Sequence, residues 1–291
     1  MAIWNLGSIN ADHFYRLGHI PAPGETILSH ALDTGLGGKG ANMSVAAARA
    51  GARVAHIGAV GPEGQWAIER LTEYGVDTRT IATLDDPTGH AIIMLDETGE
   101  NAIIVHPGAN AQIAEDQIGL TLSEAASGDI LVMQNETNAQ AFAAETGAKL
   151  GLKVAYAAAP FDADAVRAVL PHIDILVLNE IEMQQLNVAT GLVPSAEMDV
   201  ATIVVTKGEK GCTLFEQASQ WQPQDFAAPK VEPVDSTGAG DTFTGYFLAA
   251  LDRGASNGEA VELAIQASAL MVTRHGTADV IPDLKEVLDW S

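Results

Sequence analysis

The chain has 291 residues, 47% of them hydrophobic, with 15 basic residues against 38 acidic ones and a formal net charge of −23. That length and composition suit one large α/β domain with a modest appendage, or two smaller domains, and exclude wholesale disorder. A surface so negative repels phosphate backbones and anionic headgroups, which excludes nucleic-acid and membrane partners and leaves any phosphate binding to local backbone dipoles and bound cations.

Met1 to Asn10 reads as a short strand running into Gly7-Ser8, without the basic start and long apolar run of a signal peptide. Ala11 to Leu36 follows as short polar and apolar pieces broken by Pro21, Pro23 and Gly24, with no helical period. Asn42–Ala50 is helical, and Val54–Val60 is an apolar strand. Gly89–Asp96 and Asn101–His106 alternate in polarity around Glu97-Thr98-Gly99, a hairpin signal.

Beyond the hairpin, strands at Ile130–Met133, Val154–Ala158, Ile175–Leu178 and Ile203–Thr206 alternate with Ala-rich helical stretches such as Ala139–Leu150 and Ala163–Leu170. Continuous apolar strands separated by helices indicate a parallel sheet covered on both faces. The expected architecture is a three-layer α/β/α domain with a mostly parallel sheet, built from residues 1–10, 37–86 and 109–291. Residues 11–36 and 87–108 are expected to form a small antiparallel β lid over a ligand site.

Gly35-Leu36-Gly37-Gly38-Lys39-Gly40-Ala41-Asn42 literally matches the G-x-G-x-x-G dinucleotide fingerprint. The context fails, because Ser29–Thr34 is not an apolar strand and His56-Ile57-Gly58-Ala59-Val60 ends without a carboxylate for a ribose. A Walker loop fails too, since Lys39 is followed by Gly rather than Ser or Thr. What remains is a glycine turn where backbone can approach a ligand, flanked by Lys39 and by Asn42, whose amide can both donate to and accept from a hydroxyl.

Val234-Asp235-Ser236-Thr237-Gly238-Ala239-Gly240-Asp241 is the most informative stretch. After it, Phe243, Tyr246, Phe247, Ala250 and Leu251 fall at helical spacing, and Gly254 supplies a stop. A glycine-rich turn feeding a buried helix makes an anion hole at Gly238, Ala239 and Gly240, suited to a phosphoryl group. Asp241 at its mouth could take a proton from an attacking hydroxyl, although Asp is also a preferred helix cap.

The single Cys212 allows no intramolecular disulfide and reads as a small apolar filler. It suits a reducing cytoplasm, the expected location. The eight histidines show no ligand-like clustering that would support a structural zinc site, and the four tryptophans are scattered packing residues.

With both glycine segments in view, the chain resembles the ribokinase-like, or PfkB, carbohydrate kinase family. Gly37 to Asn42 looks like its N-terminal signature, Asp235 to Asp241 like its C-terminal one, and Gly7-Ser8-Ile9-Asn10-Ala11-Asp12 is similar to the start of ribokinases. The resemblance extends to Thr273-Arg274-His275-Gly276. It implies that Asn10, Asp12, Gly38, Lys39, Asn42 and Glu136 contact a sugar and that Asp241 is the catalytic base. It further implies ATP contacts at Asn179, Gly240 and the turn Thr206-Lys207-Gly208-Glu209-Lys210-Gly211. Glu182, in the N-x-x-E element, would order Mg²⁺ through water.

A monovalent-cation site, for K⁺, is implied at Asp235 and Thr237 with backbone carbonyls of Met271, Arg274 and Gly276. Val280 departs from the pattern, standing where ribokinases commonly carry a Ser oxygen, and Ile265 stands where they often carry His. The expected reaction is transfer of the ATP γ-phosphoryl group to a primary hydroxyl, with ribose as the leading acceptor. A nucleoside kinase is the alternative, although the lid offers only Phe14, Tyr15 and a few aliphatics for a base. A ketose or keto-acid sugar kinase comes next, with Arg16 as the one lid cation for an acid substrate, and a catalytically silent sugar-binding protein would not need the intact Gly238-Ala239-Gly240-Asp241 turn. Exposed edges of the lid sheet suggest pairing of two lids in a homodimer.

Overall fold

Val54–Val60 is buried at every position, as a strand covered on both faces must be. The computed structural model describes residues 1–98 and 100–290, so Gly99 of the expected hairpin turn lies outside the described residues. The strands in chain order begin with β1 (Ile3–Leu6), β2 (Asn10–Arg16), β3 (Ala31–Gly37), β4 (Val54–Val60), β5 (Ile81–Thr83), β6 (Gly89–Leu95) and β7 (Asn101–His106). They continue with β8 (Ile130–Gln134), β9 (Lys153–Ala157), β10 (Ile175–Asn179), β11 (Thr202–Thr206), β12 (Cys212–Glu216) and β13 (Gln224–Phe226).

Among the described residues the large sheet has nine strands in the order β13-β12-β11-β10-β9-β8-β1-β4-β5. All its pairings are parallel except those of β12 and β13, which return as antiparallel hairpins at one edge. Alternate residues of each strand enter different cores. Ile3, Val54, Val132 and Val204 join one apolar cluster, while Trp4, Ala55, Leu131 and Ile203 join the other.

The first cluster is covered by α1 (Lys39–Arg49), α2 (Gln65–Glu73), α7 (Ala239–Asp252), α8 (Asn257–Met271) and α9 (Leu284–Trp290). The second is covered by α3 (Glu115–Leu122), α4 (Gln140–Lys149), α5 (Ala163–Val169) and α6 (Glu180–Thr190). The result is the three-layer α/β/α arrangement. No helix among the described residues is long and apolar enough to cross a membrane.

The small sheet has the order β3-β2-β6-β7. β2–β3 and β6–β7 are antiparallel, and the central pair β2–β6 is parallel, which alternation of polarity does not reveal. The segment before the first glycine turn is the strand β3 of this small sheet. It is exposed over Ala31–Thr34, so it carries no apolar run to announce it. It differs from a dinucleotide-binding strand, which lies buried in a parallel sheet.

The chain leaves β1 toward β4 and β5 on one side, and later resumes with β8 to β11 on the other. The strand order therefore reverses between β1 and β8, where the carboxyl ends of parallel strands leave a crevice for ligands. Gly7-Ser8 follows β1 and Glu136 follows β8, so both stand at that reversal.

Candidate active site

Helices α1 and α7 both start at this crevice, and both starts rest on glycines with positive φ. Gly38 precedes α1 at φ 93°, and a Cβ there would lie 2.9 Å from Ser8 O. Gly238 precedes α7 at φ 78°. An L side chain is strained at both positions. Along α1 and α7 the helices approach closely at Gly245, where a Cβ would lie 2.5 Å from Ala46 Cβ.

Asp241 is not the cap of its helix. Gly238 takes that place without a side-chain bond, and Asp241 sits inside the first turn, buried. Its Oδ2 accepts from Asn42 Nδ2 at 2.9 Å. The first amides of a helix lack carbonyl partners four residues back. One of them, Ala239 N–H, donates to Ser236 O at 3.2 Å, so it is partly spent inside the turn. A Cβ on Gly240 would meet no atom within 4 Å, and this residue opens onto the ligand space.

Two cavities meet at Gly240. One, of about 240 Å³, is lined among others by Lys39, Asn179, Glu182, Thr206, Gly238 and Asp241. The other is a wider groove of about 740 Å³ between the Thr206–Gly211 turn and the start of α7, with Phe243, Ile265, Ala269 and Val272 on its apolar wall. Thr206, Ser236 and Gly240 line both. A small cavity thus adjoins a groove of the size usual for a nucleotide-sized ligand, and of the expected sugar contacts Lys39 and Asp241 line the small one.

Glu136 Oε2 accepts from Ser8 Oγ at 2.6 Å and from the Lys39 amide at 3.0 Å. Asn10 Oδ1 accepts from Asn110 Nδ2 at 2.8 Å, and Asn110 also exchanges bonds with the Ile9 backbone. Asp12 is buried below Gly37, where the approach is so close that any Cβ would overlap its carboxylate. Burial, followed by the nearby Glu136 and Asp241 charges, pushes the Asp12 carboxyl up to about 7. Burial also raises the Asp241 carboxyl, while Lys39 and the Asn42 bond pull it back. The Lys39 ammonium is held charged, above all by Asp241. A carboxyl raised by burial beside a cation is a stronger base than an ordinary one and is suited to accept a proton.

Asn179 and Glu182 form a capping box at the start of α6. Glu182 N donates to Asn179 Oδ1 at 2.9 Å, and Asn179 N donates to Glu182 Oε2 at 2.8 Å. Burial raises the Glu182 carboxyl. In the groove turn, Thr206, Gly208, Glu209 and Gly211 are lining residues, whereas Lys207 turns its ammonium 3.0 Å from Asp225 Oδ1.

The sequence profile of the pfkB family carbohydrate kinase matches residues 3–284. The chain belongs to the pfkB family of carbohydrate kinases. It is 33% identical to a ribokinase of Haemophilus influenzae over 98% of this chain and 96% of that protein. Among solved structures, a ribokinase of Thermotoga maritima aligns with TM-score 0.88 at 32% identity, covering 100% of this chain and 99% of that one. An Arabidopsis thaliana ribokinase complexed with ribose and ATP aligns with TM-score 0.86 at 30% identity, covering 99% and 98%. As a member of this family the chain is a phosphotransferase acting on a sugar hydroxyl.

In this carbohydrate kinase the expected monovalent-cation residues converge. Asp235 Oδ1 accepts from Thr237 N at 2.9 Å and its Oδ2 from Gly276 N at 3.3 Å, while Met271 O accepts from Arg274 N at 3.0 Å. A Cβ at Gly276 would lie 3.3 Å from Val280 Cγ1, so the valine methyl faces this loop. Asp235 and the carbonyls are hard oxygen donors, and the Val280 side is apolar.

Sequence reasoning missed Asn110 and Ser8, which hold the proposed sugar contacts Asn10 and Glu136. No local pattern marks a residue whose only role is to brace another across 100 positions. Three histidines do gather on the small sheet, with His90 5.1 Å from His106 and 6.2 Å from His13 between ring centroids. Among the described residues no group of three or more His, Cys, Asp or Glu is arranged to hold a metal ion. Cys212 is buried, and burial pushes its thiol up to about 12, as fits an inert filler.

Proposed function

We propose that this protein transfers the γ-phosphoryl group of ATP to the primary hydroxyl of ribose, giving ribose 5-phosphate. The observation that carries the reading is Asp241, buried in the wall of the smaller cavity next to Gly240, where the two cavities meet, and 2.9 Å from Asn42. The ribose and ATP of the Arabidopsis relative support the choice of ligands.

Ribose would sit against the Lys39 and Asp241 wall of the smaller cavity and extend beyond it, its hydroxyls donating to Asp12 and Glu136 and bonding to Asn10, Asn42 and the Gly38-Lys39 backbone. Asp241 takes the proton of the attacking hydroxyl as its oxygen forms the new bond to γ-phosphorus. The bond from γ-phosphorus to the bridging oxygen breaks, and ADP leaves. The Gly240 and Asp241 amides and Lys39 stabilise charge on the transferring oxygens. The small sheet acts as a lid that keeps water out.

The donor set fits Mg²⁺ held mainly by nucleotide phosphates, with Glu182 reaching it through water, because Mg²⁺ keeps several waters and needs only one or two carboxylates. When bound, Mg²⁺ supplies neutralising charge to those phosphates. Asp235 with the carbonyls of Met271, Arg274 and Gly276 would hold K⁺, with one oxygen fewer where Val280 stands. The proposal includes a cytoplasmic location and a homodimer joined through the small sheets. Its edge strand β7 exposes Ile103, Ile104 and Val105 by more than half, which supports that pairing.

Coupled ADP release with pentoses, hexoses, nucleosides and acid sugars is the test. Ribose-dependent turnover well above the other acceptors is the expected result, and none above the sugar-free rate would overturn the reading.

A further inference from the structure

Behind the acceptor cavity lies a fully buried polar network that the reaction itself does not use. At its centre is His56 on β4, with no exposed surface. His56 Nε2 lies 3.0 Å from Gly7 O, and Nδ1 lies 2.8 Å from Ser44 Oγ. A carbonyl can only accept, so Nε2 carries the hydrogen and Nδ1 accepts from the serine hydroxyl. Ser44 Oγ in turn accepts from Asn5 Nδ2 at 2.8 Å, and the same amide donates to Gly40 O at 2.8 Å. Asn5 Oδ1 accepts from Gln134 Nε2 at 2.8 Å.

Each bond direction in this chain is fixed by its neighbour, so the ring has one tautomer. The network spans the ends of β1, β4 and β8 and the first turns of α1. Those are the elements that carry Ser8, Lys39 and Glu136. The backbones it joins are in contact, since a Cβ on Gly40 would lie 2.3 Å from Gly7 Cα. Gly58 must also be bare, because a Cβ there would lie 2.8 Å from His56 Nε2.

We propose that His56 is a positioning residue for the sugar site, locking the Gly7-Ser8 turn to the Gly38–Gly40 turn so that Ser8 and the Lys39 amide orient Glu136. This rests on the sugar-kinase reading. The ring touches no reacting atom. It acts through Gly7 O on one side and, through Ser44 and Asn5, on Gly40 O on the other. Burial keeps the ring neutral, holding it down to about 4, so the network stays intact over the range in which the enzyme would work.

Steady-state kinetics of three variants test the idea. His56→Phe keeps a ring but removes both bonds, and its KM for ribose should rise about tenfold or more, while KM for ATP stays within about twofold and kcat within about threefold. His56→Gln retains a donor for Gly7 O and should recover most of the ribose affinity. Ser44→Ala cuts only the arm toward Asn5 and should raise the ribose KM about threefold. Unchanged ribose KM in His56→Phe, or equal rises for ribose and ATP, would overturn the positioning role. If His56→Phe does not fold, the split between the two substrates in Ser44→Ala decides in the same way. Failure of the wild-type protein to phosphorylate any sugar would instead remove the sugar-kinase reading, and this inference with it.

Discussion

Asn42 donates its side-chain amide to the Asp241 carboxylate over 2.9 Å, and the two residues open different helices 199 positions apart. The bond ties α1 to α7 beside the smaller cavity, which Asp241 lines. It also leaves one carboxylate oxygen of Asp241 for another partner.

Replacing that carboxylate isolates its role. In Asp241→Asn the side chain keeps its size and the sugar site keeps its walls, so ribose KM should stay within about threefold while kcat falls by ~10² or more. Rapid-quench or coupled ADP assays read both constants. Near-normal kcat would reject Asp241 as the base.

Asp12 gives a pH signature of unusual sign. Its folded-state carboxyl titrates near 7, far above the ordinary 3.8, so the folded protein retains a proton that the unfolded chain has already lost. Stability is therefore withdrawn as pH rises from about 4 to about 7, and stays withdrawn above that. Asp12→Asn should melt higher than wild type at about pH 8 and show no such gain near pH 4. Ribose binding to the wild type, which uses the charged carboxylate as acceptor, should tighten between about pH 6 and 8, whereas the variant's weaker binding should be flat. Calorimetric titration at several pH values would expose a flat wild-type profile, which contradicts this account.

Glu182 closes a capping box on α6, and one substitution separates that role from the proposed Mg²⁺ contact. Gln can occupy the same place in a capping box, so Glu182→Gln should shift the melting temperature by only about 2 °C or less. Without the charge, the Mg²⁺ concentration giving half-maximal velocity should rise about fivefold or more. A titration of velocity against free Mg²⁺ that leaves the midpoint in place would show that the side chain is a cap alone.

Gly245 lets α7 lie against α1. Adding one methyl puts a Cβ 2.5 Å from Ala46 Cβ and 2.7 Å from Met43 O, so Gly245→Ala should cost ~1–3 kcal/mol of stability. Prising the helices apart also lengthens the Asn42–Asp241 bond, and kcat should fall with it. Urea unfolding curves superimposable on wild type would contradict the tight crossing.

Pairing through the small sheets is tested at its exposed edge. Ile103→Lys with Val105→Lys places charges on β7 without touching the acceptor cavity, and sedimentation should move the protein from dimer to monomer. A mass unchanged by the two charges would place the interface elsewhere.

Much of this arrangement was readable from residue order. The buried strand at Val54–Val60 and the helix that starts near Ala239 announce themselves through continuous apolar runs and a 3.6-residue period. The signature glycines also fall where positive φ demands them, at Gly38 and Gly238. The parallel pairing of β2 with β6 escaped, since pairing direction leaves no trace in polarity. The capping alternative for Asp241 could not be settled either, as its answer depends on where the helix starts, and the start lies three residues earlier at Gly238. Asn110, Ser8 and His56 were beyond reach for a different reason. Their partners are distant in sequence, and a buried polar side chain has meaning only once the groups around it are known.

Asp12, Glu136 and Asp241 lie close enough to one another for their charges to interact, with Lys39 beside them, and Lys39 and Asp241 also line the smaller cavity. A neutral sugar enters such a chamber without electrostatic opposition, but the product leaves it carrying close to two negative charges. Once the donor's remnant and its counter-ion have gone, the newly made anion faces three carboxyl groups at close range in a molecule already at −23. In the proposed reaction, the side chains that receive the sugar's hydroxyls would therefore also oppose its phosphate ester and favour its release.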